Sequence, residues 1–190
     1  MYRKTLLSIV AGLALTPSLA RAQTTSITPL IGGYVPAGDW VELRAGAENV
    51  ANRREGTRSW GLNVEFGPLR GSVAYASGMN IKNASRQDIG TGSVLGYAGD
   101  FVVRPVMRML VQPYILGGVG QKLYRFDQAS IEPADFKSRQ FAFHGGIGAD
   151  VMLGSIGIAA EVTDFLSKSE RQNWNVHDAF AMVGLRVRLP

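Results

Sequence analysis

The sequence predicts an all-β chain, an eight-stranded antiparallel up-and-down transmembrane β-barrel, and three observations carry that reading. From Gln23 onward apolar residues recur at every second position, with a short amphipathic piece at Val41 to Arg54 as the one helical candidate. Most alternating runs are roughly 9 to 15 residues long, whereas ordinary sheets use about 5 to 6 and a tilted membrane strand about 9 to 11. The connections alternate between short and long, as in a barrel with tight turns at one rim and long loops at the other.

Before the first strand, Met1 to Lys4 is basic, Thr5 to Leu15 is apolar and Ala20-Arg21-Ala22 is a small-x-small site. This is the order of a secretory signal peptide, expected over residues 1–22 with cleavage before Gln23, which leaves 23–190 as the barrel domain. The apolar stretch is shorter than the ~20 residues that a spanning helix needs. Its removal takes away Arg3, Lys4 and Arg21 and no acid, so the net charge of +5 falls to +2, with 17 basic residues against 15 acidic. The basic balance is therefore no sign of a nucleic-acid partner, which calls for a clustered basic face. The absence of cysteine excludes a disulfide scaffold and thiolate metal sites.

Eight strands are expected in order: Ile27 to Val35, Thr57 to Phe66, Leu69 to Ser77, Thr91 to Arg104, Val111 to Leu123, Arg139 to Leu153, Ile156 to Phe165, and Val176 to Leu189. Gly67-Pro68 and Gly154-Ser155 have the glycine-first pattern of two-residue hairpins, and Pro105 to Leu110 makes the third short connection. The long polar segments are Pro36 to Gly56, Gly78 to Gly90, Tyr124 to Ser138 and Leu166 to Asn175. With Phe66 opposite Leu69, one register places Trp60 opposite Tyr75 on one face and Glu65 opposite Arg70 on the other.

Alternation sorts the strands into two faces. One carries large apolar residues such as Trp60, Leu62, Val64, Phe101, Phe143, Ile147, Ile158, Val162 and Leu185. The other carries Glu65, Arg70, Asp100, Lys122, His144, Asp150, Glu161, Arg186 and Arg188 among small residues, and is read as a packed lumen of paired charges without a wide pore. Trp60, Tyr75, Phe101, Phe66, Phe141 and Phe165 are expected to form interfacial girdles. His144 is expected to face Glu161 or Asp150.

The Pro113 to Gly120 strand, the Gly145 to Asp150 strand and the last alternating strand give the chain its resemblance to the small outer-membrane β-barrel family, the eight-stranded OmpA, OmpX and opacity-protein type. The resemblance implies a location in the bacterial outer membrane and a structural, adhesive or surface-interaction role, with recognition in the loops and no cofactor. It also implies the outer-membrane assembly machinery as a partner during biogenesis; the family's usual terminal aromatic is replaced here by Leu189-Pro190.

Outer-membrane lipid and lipopolysaccharide are the other expected partners, with Arg53, Arg54, Arg58, Lys82, Arg86, Arg125, Lys137, Arg139, Lys168 and Arg171 near the long-loop ends as candidate phosphate contacts. A lipid A-modifying enzyme is the alternative that needs a serine beside a histidine. His144 is followed by Gly145-Gly146 and His177 by Asp178-Ala179, so the expected pattern is missing and no catalytic residue is assigned. Two histidines without cysteine are also a poor metal set. A soluble lipocalin-like carrier is the second alternative, since Gly38-Asp39-Trp40 and Thr163-Asp164-Phe165 are similar to short lipocalin motifs; it would require the charged face outside.

Overall fold

The computed structural model describes residues 25–37, 40–45, 48–82, 88–105, 110–127, 135–169 and 172–190. The segment expected to be a signal peptide lies outside the described residues. The strands are β1 (Thr25–Ala37), β2 (Trp40–Ala45), β3 (Glu48–Arg54), β4 (Thr57–Phe66), β5 (Leu69–Lys82), β6 (Asp88–Val103), β7 (Val111–Asp127), β8 (Asp135–Leu153), β9 (Ile156–Ser169) and β10 (Gln172–Arg188). Eight of them, β1 and β4 to β10, close into an antiparallel barrel, with β1 held between β4 and β10.

Both hairpin registers expected from sequence are present: Glu65 opposes Arg70, Trp60 opposes Tyr75, and Leu153 opposes Ile156. Gly67 and Gly154 adopt positive φ, which an L side chain resists and a tight hairpin requires. The Trp60 and Tyr75 rings sit 5.4 Å apart on the outer face.

Three expectations are corrected. Val41 to Arg54 is not helical, and the segment from Pro36 to Gly56 contains the β2–β3 hairpin, whose β3 also pairs with β5 through Arg53 and Arg54. Most barrel strands continue further toward the long loops than alternation suggests: β5 reaches Lys82, β7 Asp127 and β9 Ser169, while β8 begins at Asp135. In β5 the cause is a bulge. Gly78, at φ +69°, inserts an extra residue between Ser77 and Met79, so inward positions pass from Ala76 to Met79 and the period-two pattern breaks while the ladder continues. Finally, Phe165 is not a girdle residue; it is buried inside the barrel between His144 and Phe180.

The faces divide as lipid outside and charge inside. Ile31, Phe66, Leu69, Phe143, Ile147 and Ile158 are each more than half exposed, whereas Glu65, Arg70, Asp100, Lys122, Asp150 and Glu161 are buried. Such an exterior is incompatible with a water-soluble carrier and is what a hydrocarbon solvent demands.

The rows of hydrogen-bonded partners climb steeply. One starts at Phe66, at the turn end of β4, and passes through Leu69, Phe101, Gly117, Gly145, Asp164 and Ala179 to Val35. Val35 adjoins Tyr34, the partner of Thr57 at the opposite end of β4. Thus one circuit gains nearly a strand length, as tilt and stagger require in a closed eight-stranded sheet.

Candidate functional site

The neighbouring inward row is where the interior charges gather. It runs Glu65, Arg70, Asp100, Gly118, His144, Phe165, Asp178, winding from the turn rim toward the loop rim. The polar interior is therefore a ramp rather than a layer, and its members have different partners at each height.

At the turn end Glu65 is the hub. Arg70 donates to it through Nε at 2.9 Å, Arg104 through Nη2 at 2.9 Å, and Arg186 through both terminal nitrogens. Arg186 also reaches Asp150 at 3.0 Å, and Arg70 reaches Glu161 at 2.8 Å. Glu161 further accepts from the Tyr114 hydroxyl at 2.7 Å and from Asn63 Nδ2 at 3.0 Å. The Tyr114 ring meets both the Arg70 and the Arg104 guanidinium, at 4.8 and 5.0 Å from its centroid. Three acids and three arginines thus interlock across the lumen at this rim.

Higher up, Asp100 accepts from Ser72 at 2.6 Å and pairs with His144 Nδ1 at 2.7 Å. This differs from the expected partners of His144, Glu161 or Asp150. The reason lies in the register: Gly118 separates Asp100 from His144 on the intervening strand, and without a side chain there the imidazole reaches across. A Cβ on Gly118 would stand 2.5 Å from Asp100 Oδ1. The other face of the imidazole stacks on Phe165, with centroids 4.1 Å apart.

Toward the loops, Lys122 and Asp178 form a fully buried ion pair, and the Tyr34 and Tyr124 hydroxyls donate to the same carboxylate. Around them the interior turns apolar, with Leu30, Met79, Ile81, Val94, Phe165, Phe180 and Met182 packed together. The expected lumen of paired charges is thus uneven: most of the ion pairs lie in the turn half, and in the loop half the Lys122–Asp178 pair is set among aromatic and aliphatic side chains.

Arg104, Tyr114, Asp178, Tyr34 and Tyr124 are not singled out by the sequence reading. Parity is the available signal for Asp178 and Tyr114, since both alternate with outward residues on their strands, Val183 and Ile115. Arg188, expected inside, is half-buried beside a turn, where its backbone N–H donates to the Ser155 carbonyl at 2.8 Å; its side chain makes no ion pair among the described residues.

Among the candidate lipid contacts, Arg58, Arg125, Arg139 and Lys168 are exposed, and Lys82 pairs with Glu55 at 2.6 Å. Arg53, Arg54 and Lys137 lie on described strands. Arg86 and Arg171 lie outside the described residues. One further polar pair faces outward, His177 Nδ1 with Asp164 Oδ2 at 2.6 Å.

This geometry has close counterparts among solved structures. Over 88% of its length the chain superposes on 96% of the Pseudomonas aeruginosa outer membrane protein OprG, with a TM-score of 0.59 and 12% identity. This is the fold of the small outer-membrane β-barrels. Neisserial surface protein A shares it with a TM-score of 0.56 and 12% identity, over 87% of this chain and 97% of that one. A major outer membrane protein of Thermus thermophilus shares it with a TM-score of 0.53 and 12% identity, over 89% and 100%. No protein-family profile and no curated protein matches the chain. The small outer-membrane barrel fold accounts for the closed eight-stranded sheet and for the inversion of apolar and charged faces.

Proposed function

We propose that this protein is a non-enzymatic barrel of the bacterial outer membrane with a structural, adhesive or surface-interaction role, delivered by a cleaved signal over residues 1–22. The observation that carries the reading is the combination of an apolar exterior with an interior closed by interlocking ion pairs. A barrel so filled offers rigidity rather than a wide conduit, which leaves recognition to the loops and to the outward-facing rim. The histidine environments support the non-enzymatic part. Ser72 and His144 both bind Asp100 rather than each other, and among the described residues no hydroxyl is hydrogen-bonded to His177. A nucleophile held by its base is thus missing from both.

The test is fractionation of cells that express the chain with an epitope inserted between positions 128 and 134. The reading expects a folded, heat-modifiable band in the outer-membrane fraction and surface labelling of intact cells. A soluble periplasmic protein would overturn it. In planar bilayers the expected outcome is no wide, steady conductance.

A further inference from the structure

The basic residues of the outer face are not spread evenly. Arg125 on β7, Arg139 on β8 and Lys168 on β9 occupy three adjacent strands, all exposed and, among the described residues, without ion-pair partners. Arg139 opposes Leu123, which lies two residues below the exposed Arg125 on β7. Lys168 lies one residue beyond Ser167, the partner of Ala142. Each step to the next strand thus drops by one outward pair while the climbing row regains most of that height, so the three cations share one level. Neighbouring strands are about 5 Å apart, so a single phosphate group is within reach of two of them.

Directly below stand Phe141 and Phe143, each about 60% exposed, with rings 5.6 Å apart and edge to face. Below them the wall is indented, because Gly117 and Gly145 oppose each other and a Cβ on Gly117 would meet nothing within 4 Å. Further toward the turns lies an apolar groove of about 730 Å³ that runs across β7, β8, β9, β10 and β1, with the opposed Ala149 and Ala160 and with Ile115, Ile147 and Val162 in its lining. Cations, aromatic shelf and one end of the groove follow one another down β7 to β9.

We propose that this sector is a docking site for one phosphate-bearing glycolipid of the outer leaflet, of the lipid A class. Arg125, Arg139 and Lys168 hold its headgroup, two of them sharing a phosphate, and one acyl chain crosses the Phe141–Phe143 shelf toward the groove beneath. Charge complementarity selects an anionic headgroup, and the exposed aromatic shelf and apolar groove below the cations select a lipid over a free anion. The proposal rests on the outer-membrane reading above.

The experiment uses the full mature barrel folded in phosphatidylcholine nanodiscs, titrated with bisphosphorylated lipid A and followed by native mass spectrometry. The triple variant R125Q/R139Q/K168Q should bind at least tenfold more weakly, while R188Q, a basic position at the turn rim, should bind as the parent does. Gly145→Leu should weaken lipid A binding without changing the salt dependence. Failure of the parent to form a heat-modifiable barrel in bilayers would sink the outer-membrane reading itself. A folded barrel whose triple variant binds within twofold of the parent would overturn only the site. So would a loss with R188Q equal to that of the triple variant, competition by inorganic pyrophosphate as effective as by lipid A, or occupation of the groove by a second copy of the chain.

Discussion

Replacing Glu65 by glutamine tests the interior network at its hub. The amide keeps the shape but removes the one carboxylate that Arg70, Arg104 and Arg186 share. Each arginine keeps an acidic neighbour: Arg70 keeps Glu161 at 2.8 Å, Arg186 keeps Asp150 at 3.0 Å, and Arg104 keeps Asp150 at 3.4 Å. Three cations then face two anions, so one positive charge in the turn half of the barrel lacks compensation. Removing one member of a buried pair costs about 3–5 kcal/mol. The Arg104 side chain is 24% exposed and can turn to water, which sets the expected loss near the lower end, about 3 kcal/mol. The assay is equilibrium urea unfolding in phospholipid vesicles, read by tryptophan fluorescence and by the heat-modifiable band. Glu65→Gln/Arg186→Met restores the balance of charge and should recover part of the loss, giving a non-additive cycle. A single-variant change below about 1 kcal/mol, or strict additivity in the cycle, would refute the hub.

Three further outcomes are expected. Gly118→Ala puts a methyl 2.0 Å from the Gly99 carbonyl oxygen and 2.5 Å from Asp100 Oδ1, so β6 and β7 must part there, the Asp100–His144 contact should break with loss of the downfield imidazole N–H resonance, and the urea midpoint should fall. Lys122→Met takes the paired cation from the buried Asp178 carboxylate, to which the Tyr34 and Tyr124 hydroxyls still donate, and should cost about 3–5 kcal/mol in the same unfolding assay. The pair Lys122→Met/Asp178→Leu removes both charges but also the carboxylate acceptor of the Tyr34 and Tyr124 hydroxyls, so it should recover only part of the loss. Ile147→Arg, in the middle of the exposed apolar band, should cost about 2–4 kcal/mol, against about 0–1 for an arginine placed at the rim, measured by refolding yield and urea midpoint in vesicles.

Much of the fold is legible from residue order, because a closed sheet converts parity directly into inside and outside. The Glu65–Arg70 and Trp60–Tyr75 pairings follow from one two-residue turn, since a hairpin register has no freedom once its turn is fixed. The loop-side strand ends are less legible. The bulge at Gly78 inverts parity in mid-strand, so a single period-two pattern does not follow the ladder past it. Partners inside the lumen are least legible. His144 finds Asp100 across two strands because Gly118 leaves the gap, and Arg104 reaches Glu65 from the end of its strand; both depend on closure of the whole sheet. The sequence pattern also says nothing of the apolar loop half of the interior, where Met79, Val94 and Phe180 sit at inward positions that alternation in their own segments does not separate from ordinary core.

The central claim is that the apolar face meets lipid while the charged face is sealed inside. The chain has no cysteine, so a single spin label at Ile147, Ile158 or Leu185 is unambiguous. In bilayer-inserted protein the account predicts that oxygen relaxes these labels strongly and a water-soluble nickel chelate does not. Labels at the same positions that respond to nickel as a surface site in water does would contradict it.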